Sequence, residues 1–497
     1  MVKSMRRKRQ SGQAIMLTVV AVGLVLIGGM GLAIDAGQLY GQRQMAQAAA
    51  DAAAEAAVLS VFGGTNTTSG NTLDGTTFTC ANGTDTRSPC AYARLNGFAT
   101  TGSTDNVTVS FPTSVPGVTL SSDFTPAAAH ALVTRQVSTT LMQLLGAPAS
   151  MAIKAAGTAA ITAVPEAVPI LVTHPSLKNA LELQGNPTIK ICGGPSQSIQ
   201  VNSNNLVAAH AGGSAQIDLS KGGPADTAGN CTTGTGTIMG VFGGPTTFPK
   251  LTPLGSTTRY DQPSFPILDP LKNVSPPSQP STNCGATGSA CKSGPMTPGA
   301  GGCPASPKKD CYLYTPGYYP GGLNIKNETA VFSPGVYYMD GSKGFSNDAN
   351  GEMYMCSGCA ADTGGTGHTM NTGMLVYMSK NAAAISVGSN SSAFLLGSSS
   401  SSDFKGILFF VDRNSPARTH SLGGGGAMTL QGTIYATNTT MTASVYQTIS
   451  LGGGSGSGTL IQGEIIASVL QLSGNGSITM QLDPSATFDV NRVALVN

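Results

Sequence analysis

Cys356-Ser-Gly-Cys359 is the spacing most open to chemistry in this 497-residue chain, since two cysteines three apart serve as a redox pair or half of a zinc site. A redox pair of that kind needs a helix N-terminus, and here the motif lies in a Gly/Ser/Asp loop. Zinc needs two further ligands at matching spacing; only His368 is near. The five histidines (130, 174, 210, 368 and 420) are otherwise scattered, with no HExxH. Each is expected in a loop or on the surface. No GxSxG and no phosphate loop before a helix occurs, and the Gly run 423–426 falls in a turn between strands. Among carboxylates, Asp403, Asp412 and Glu464 are the best acid–base candidates, and stacked strands could bring Asp412 near Glu464. Turn hydrogen bonding at strand ends is the expected role for all of them. Neither a catalytic site nor a metal or cofactor site is therefore expected, and no enzyme activity.

The ten cysteines (80, 90, 192, 231, 284, 291, 303, 311, 356 and 359) are better read as disulfides of an oxidising compartment. Close spacing pairs Cys80 with Cys90, Cys284 with Cys291, Cys303 with Cys311 and Cys356 with Cys359. Spacing alone does not fix that connectivity.

Export follows from residues 14–34, AIMLTVVAVGLVLIGGMGLAI, an uncharged run of 21 residues preceded by Lys3, Arg6, Arg7, Lys8 and Arg9. At about 1.5 Å per residue it spans a hydrocarbon core of about 30 Å. The basic flank keeps residues 1–13 in the cytoplasm and sends everything after Asp35 outward. The run exceeds the apolar core of a cleaved signal. Behind it, residues 35–60 hold ten alanines and no proline, so one helix should continue beyond the membrane. Without the five leading basic residues the chain has 21 Lys and Arg against 24 Asp and Glu, about −3. Nucleic acid is thus not an expected partner, because no basic surface remains to neutralise phosphates.

Charged residues are 10% of the chain, there is no tryptophan, and 65 Gly and 29 Pro describe a folded but turn-rich protein. Alternation at Val107–Phe111 and Ala131–Val137 predicts strands, and residues 138–161 a short helix and then another strand. Residues 35–162 form an α+β stalk on this reading. From about 168 the texture becomes apolar–polar–apolar triplets between Gly, Ser and Asn turns, among them Ile189-Lys-Ile191, Ile217-Asp-Leu219, Met428-Thr-Leu430 and Leu470-Gln-Leu472. Longer strands open at Gly406, Gly432 and Gly463, 26 and 31 residues apart. Short strands repeating at that interval predict a right-handed parallel β-helix, a solenoid, rather than a sandwich of longer strands. Residues 163–240 would be its first part and 321–497 its main part. Between them, 241–320 carry 15 prolines and four cysteines and are expected to project as an insertion.

The N-terminal pattern resembles the TadE/TadG-like domain of Tad (Flp) pilus-assembly proteins. The resemblance rests on Ser11-Gly-Gln-Ala14, the apolar span, Ile34-Asp35-x-Gly37-x-Leu39-Tyr40 and the Ala-Asp-Ala segment Ala48–Ala57. The stretch Val137-x-x-x-Leu141-x-x-Leu144-Leu-Gly146 is also similar to such chains. The resemblance implies a single-pass inner-membrane component with its bulk periplasmic or extracellular, working beside pilin-like or other pilus-assembly proteins. Its span would pack through Gly23, Gly28, Gly29 and Gly31. Pilin-like members carry Glu five residues after the cleavage glycine; here Leu17 stands there, so the span is expected to remain an anchor. A von Willebrand A-type metal motif is not expected, because Asp340-Gly-Ser-Lys-Gly344 ends in Gly and Asp483-Pro-Ser-Ala-Thr487 lies too near the terminus. The β-helix would serve structure or adhesion, with surface glycans as further partners. An anchored polysaccharide lyase or hydrolase, or an adhesin independent of pili, are the alternatives.

Overall fold

A computed structural model describes residues 5–121, 124–164, 168–227, 229–252, 259–348, 350–359, 372–388, 392–397, 404–423, 426–453, 459–475, 477–482 and 490–496. These divide into a first unit, residues 1–164 with 491–497, and a second, 165–490. His368, Asp403, Asp483 and part of the Gly run 423–426 lie outside the described residues.

One helix, Met5–Phe62, opens the first unit. Its C-terminal half buries Ala46, Ala49, Ala50, Ala53, Ala54 and Ala57 on one face, at helical spacing. Side chains this small let the helix lie almost backbone to backbone on the strand Ser150–Val164. A Cβ on Gly157 of that strand would come within 2.7 Å of the Asp51 backbone nitrogen. Gln47 ties the two together, donating through Nε2 to the Ala156 carbonyl at 2.8 Å.

The first four strands of the sheet beneath the helix pair antiparallel. The sheet's order is Phe78–Thr79, Asn106–Ser110, Ala128–Ser138, Ser150–Val164 and Val490–Leu495. The last of these corrects the expected extent of the second domain, because the chain's end belongs to this sheet and not to the body before it. Val496 N–H donates to the Thr158 carbonyl at 2.8 Å. Physically, Ser150–Val164 has an edge that Ala128–Ser138 leaves open, and a terminal strand satisfies its free backbone groups. Cys80–Cys90 staples the Phe78–Thr79 strand to the helix Ser88–Leu95.

The second unit is mainly β, with sheets of 11, 10 and 8 strands among the described residues. Successive strands alternate among the sheets, and most pair in parallel with the strand three places on. Ile407–Val411, Thr433–Ala436 and Ile465–Ala467 are neighbours in this way. The triplets carry the pattern: Ile189, Ile191, Ile217, Leu219, Met428, Leu430, Leu470 and Leu472 all enter one shared core. The residues between them, such as Lys190, Asp218, Thr429 and Gln471, face outward and are half-buried.

Chain order and stacking order differ. Ile170–Val172, the first strand of this unit, lies inside the 10-stranded sheet, between Ile465–Ala467 and Gln197–Val201. Strands 170–261 therefore continue the stack from where 465–481 leave it, instead of preceding residue 321.

The Pro-rich segment is likewise corrected. Residues 241–320 do not simply project. Leu251–Thr252 and Arg259–Asp261 extend two sheets, and Lys292–Met296 pairs antiparallel with Cys311–Tyr314. Between them Ile267, Leu271 and Val274 cover the outer row Tyr377, Phe410, Tyr435, Ile466 and Leu171 of the 10-stranded sheet. Burying that apolar row explains why the strands of this sheet read as continuous hydrophobic runs. Arg413 fastens this strap, residues 267–274, donating to the carbonyls of Leu271 and Val274 and to the Tyr435 hydroxyl.

Candidate functional site

The N-terminal helix runs from a largely exposed apolar stretch into one packed on the sheet. Its most apolar 18-residue stretch has mean hydropathy 2.5 and is only 6% buried. Ile15, Met16, Leu17, Val19, Val20, Val22, Val25, Leu26, Met30, Leu32 and Ile34 are all exposed. Such a surface is stable only against an apolar partner, and its length is that of a membrane span.

At the end of this run stands Asp35, 1% exposed. Its carboxylate accepts from Met142 N–H at 2.6 Å, Thr140 N–H at 3.1 Å and the Thr140 hydroxyl at 3.0 Å. The Met142 N–H, and then the Thr140 groups, hold its pKa below the usual carboxylate value against the opposing effect of burial. The acid of the Asp-x-Gly element thus clasps the turn between two strands to the helix. One turn below, Gly31 faces Leu141, and a Cβ added there would meet the Leu141 Cβ at 2.7 Å. Gly31 is therefore occupied by its own chain, a correction to the expectation that it packs against neighbouring helices. Gly23 and Gly29 have nothing within 4 Å of an added Cβ, and Gly28 is half-buried. Gly37 and Gly41 are equally open on the next turns.

All ten cysteines pair. Cys80–Cys90, Cys284–Cys291, Cys303–Cys311 and Cys356–Cys359 form as spacing suggested. Cys192–Cys231 is a fifth bond, closing 39 residues. Spacing gave no hint of it, because the two cysteines meet only through the strand pairing of Thr188–Gly193 with Gln216–Gly222. The CxxC pair is in a disulfide, and so are both sulfurs of Cys80, Asp85 and Cys90, a group with metal-like spacing.

The two described candidates, Asp412 and Glu464, do not converge. Asp412 follows the strand Ile407–Val411, whereas Glu464 precedes Ile465–Ala467. In register they stand four residues apart along the strand direction, roughly 13 Å at about 3.3 Å per residue. Asp412 accepts the Tyr377 hydroxyl at 2.6 Å and Asn414 N–H at 2.8 Å, as a turn residue does. Asp340 is used the same way by Tyr318, Ser379 and Gly341. Of the histidines, His420 is buried, not superficial: its Nδ1 accepts Ile385 N–H and its Nε2 meets Gln447. Burial pushes it down to about 4. His174 is buried as well and bridges Thr442 to the 176–177 turn.

Residues 12–60, the span, Asp35 and the alanine face, match the model of the family described as putative Flp pilus-assembly TadE/G-like. No curated protein and no solved structure matches the chain.

Proposed function

We propose that this chain is a membrane-anchored structural or accessory component of a Tad (Flp) pilus machine. Its helix sits in the cytoplasmic membrane with the N-terminus inside, and its bulk is periplasmic or extracellular. The TadE/G-like match over residues 12–60 carries the reading. Lys3, Arg6, Arg7, Lys8 and Arg9 before the span support the orientation. Five disulfides support an oxidising compartment beyond it. In this reading the three mainly parallel sheets of the second unit wind as a right-handed β-helix, the hand that parallel crossovers almost always take. Gly23, Gly28 and Gly29 admit neighbouring pilin-like helices.

The body acts by presenting surface, not by catalysis. Adhesion to glycans is supported by one outward ledge on the 11-stranded sheet, where Tyr354 and Phe394 stack at 5.3 Å beside Thr429 and Gln431. They line an open cavity of about 260 Å³. Sugar rings stack on such aromatic faces while amides and hydroxyls take their hydroxyl groups.

Imaging pili in a deletion strain tests the principal reading. Lost or shortened pili, restored by the wild-type gene, are the expected result; normal pili would leave the adhesin reading standing. Gly28→Leu should weaken crosslinking to pilus-assembly partners. The full chain in detergent should cleave nothing on a broad glycan panel, and cleavage abolished by Asp412→Asn would install the enzyme reading instead.

A further inference from the structure

The hairpin tip between Ala128–Ser138 and Ser150–Val164 differs from the rest of the first unit. No charged residue occurs from Gln136 to Ile153, and the turn itself reads Leu141-Met-Gln-Leu-Leu145. This apolar turn is fastened to the helix: Leu141 rests on Gly31 and the Asp35 carboxylate takes the N–H groups of Thr140 and Met142. Gly31 lies within the uncharged run 14–34, where Met30, Leu32 and Ile34 are exposed. A segment in van der Waals contact with the last turns of a membrane span must share their depth.

We propose that the turn 139–149 is a second membrane contact, lodged beside the helix in the headgroup–acyl boundary of the outward leaflet. This rests on the anchor reading of the helix. The backbone is prepared for such a place, since non-helical segments enter lipid only with their polar groups satisfied. Thr139 N–H donates to Ala149, Gly146 to Gln143 and Ala147 to Met142, and Asp35 takes two more. Met151, on the returning limb, is 38% exposed and adds apolar surface. The cations begin farther out. Arg135 is held by Asp105, which leaves Lys154 and Arg43 as the first exposed ones beyond the tip. Lys154 is four residues along the strand from Ser150, roughly 13 Å, and Arg43 eight along the helix from Asp35, roughly 12 Å. Long side chains at that height reach back to lipid phosphates. Two contacts in place of one would restrain the first unit against tilting on its anchor.

All ten cysteines are in disulfides, so one introduced cysteine can be labelled alone. Gln143→Cys carries a nitroxide in the full chain, reconstituted into phosphatidylethanolamine–phosphatidylglycerol vesicles. Val25→Cys marks the span, and Leu95→Cys, at an 80% exposed position, marks water. Gln143 donates to Thr139, so Ala149→Cys is read in parallel. Collisions with an aqueous nickel chelate should be several-fold rarer at the tip than at Leu95, and collisions with oxygen more frequent. The proposal stands if either tip label is shielded while Val25 is shielded. It falls if both tip labels match Leu95 while Val25 is shielded. If Val25 itself collides as Leu95 does, the anchor reading fails, and the second contact with it.

Discussion

The two units reach close packing by opposite means. In the first, alanine and glycine bring a helix and a strand so near that Gly157 faces the Asp51 nitrogen. In the second, large side chains fill the space between sheets, with Tyr319, Tyr337, Phe332, Phe345 and Phe409 fully buried. One unit has no room to gain volume and the other none to lose. Their mutational responses should therefore be mirror images.

Truncation in the second unit is the harshest test. Phe409 is in the Ile407–Val411 strand, its ring 5.9 Å from that of Phe345. Phe409→Ala should cost about 3–5 kcal/mol in denaturant unfolding of the full chain. A loss below about 1 kcal/mol would mean that the core collapses around the gap and the contrast is false.

Acid should act on the second unit next. His420 sits neutral, with Nδ1 accepting Ile385 N–H and Nε2 donating to Gln447, and burial holds its pKa at about 4. Arg418 nearby adds to that depression. A depressed histidine contributes stability that is whole above the unfolded value of about 6.5 and lost as pH falls through about 4. The span is worth about 3 kcal/mol at most. Unfolding followed between pH 7 and pH 4 should show this slope, and His420→Gln should flatten it while lowering stability at pH 7.

How much of this was legible in sequence divides along the same line. The triplets announced inward and outward residues because a strand's period of two survives in any parallel stack, as Ile189-Lys-Ile191 and Leu470-Gln-Leu472 illustrate. What they could not announce was order. Nothing local tells Ile170–Val172 to sit beside Ile465–Ala467, almost 300 residues later, because that choice is made by matching core faces. The strap failed for a related reason: proline forbids a regular ladder but not burial, and Leu271 is fully buried. At the site, the Asp-x-Gly element was visible as a pattern, but its partner was not. Asp35 and Met142 are separated by 107 residues, and Gly31 looked free until Leu141 filled its face.

Enlargement in the first unit is the mirrored test. A Cβ on Gly157 would come within 2.5 Å of Asp51 Oδ1 and 2.8 Å of the Ala50 carbonyl carbon. Because two of its closest neighbours are helix backbone, the helix must lift. Gly157→Val should destabilise this unit by about 1–3 kcal/mol, although valine favours strands. Faster amide exchange along 46–57, with the second unit unchanged, is the expected signature; an unaffected helix would refute the close-packing account.

The gentlest change removes a clasp without changing volume in either core. Asp35→Ala strips the acceptor from the amides of Met142 and Thr140 and from the Thr140 hydroxyl. These amides should exchange faster while the strands Ala128–Ser138 and Ser150–Val164 keep their protection. Asp35→Asn, which keeps one acceptor oxygen, should fall between. The wild-type acid is held below the ordinary carboxylate value, first by Met142 N–H. The clasp is accordingly intact above that ordinary value and is lost as pH falls through the depressed one. Exchange at Met142 should rise there in the wild type and stay flat in Asp35→Ala. Equal exchange in all three chains would show that Leu141 on Gly31 suffices to hold the turn, and that the first unit depends on contact between small residues even where a charge stands ready.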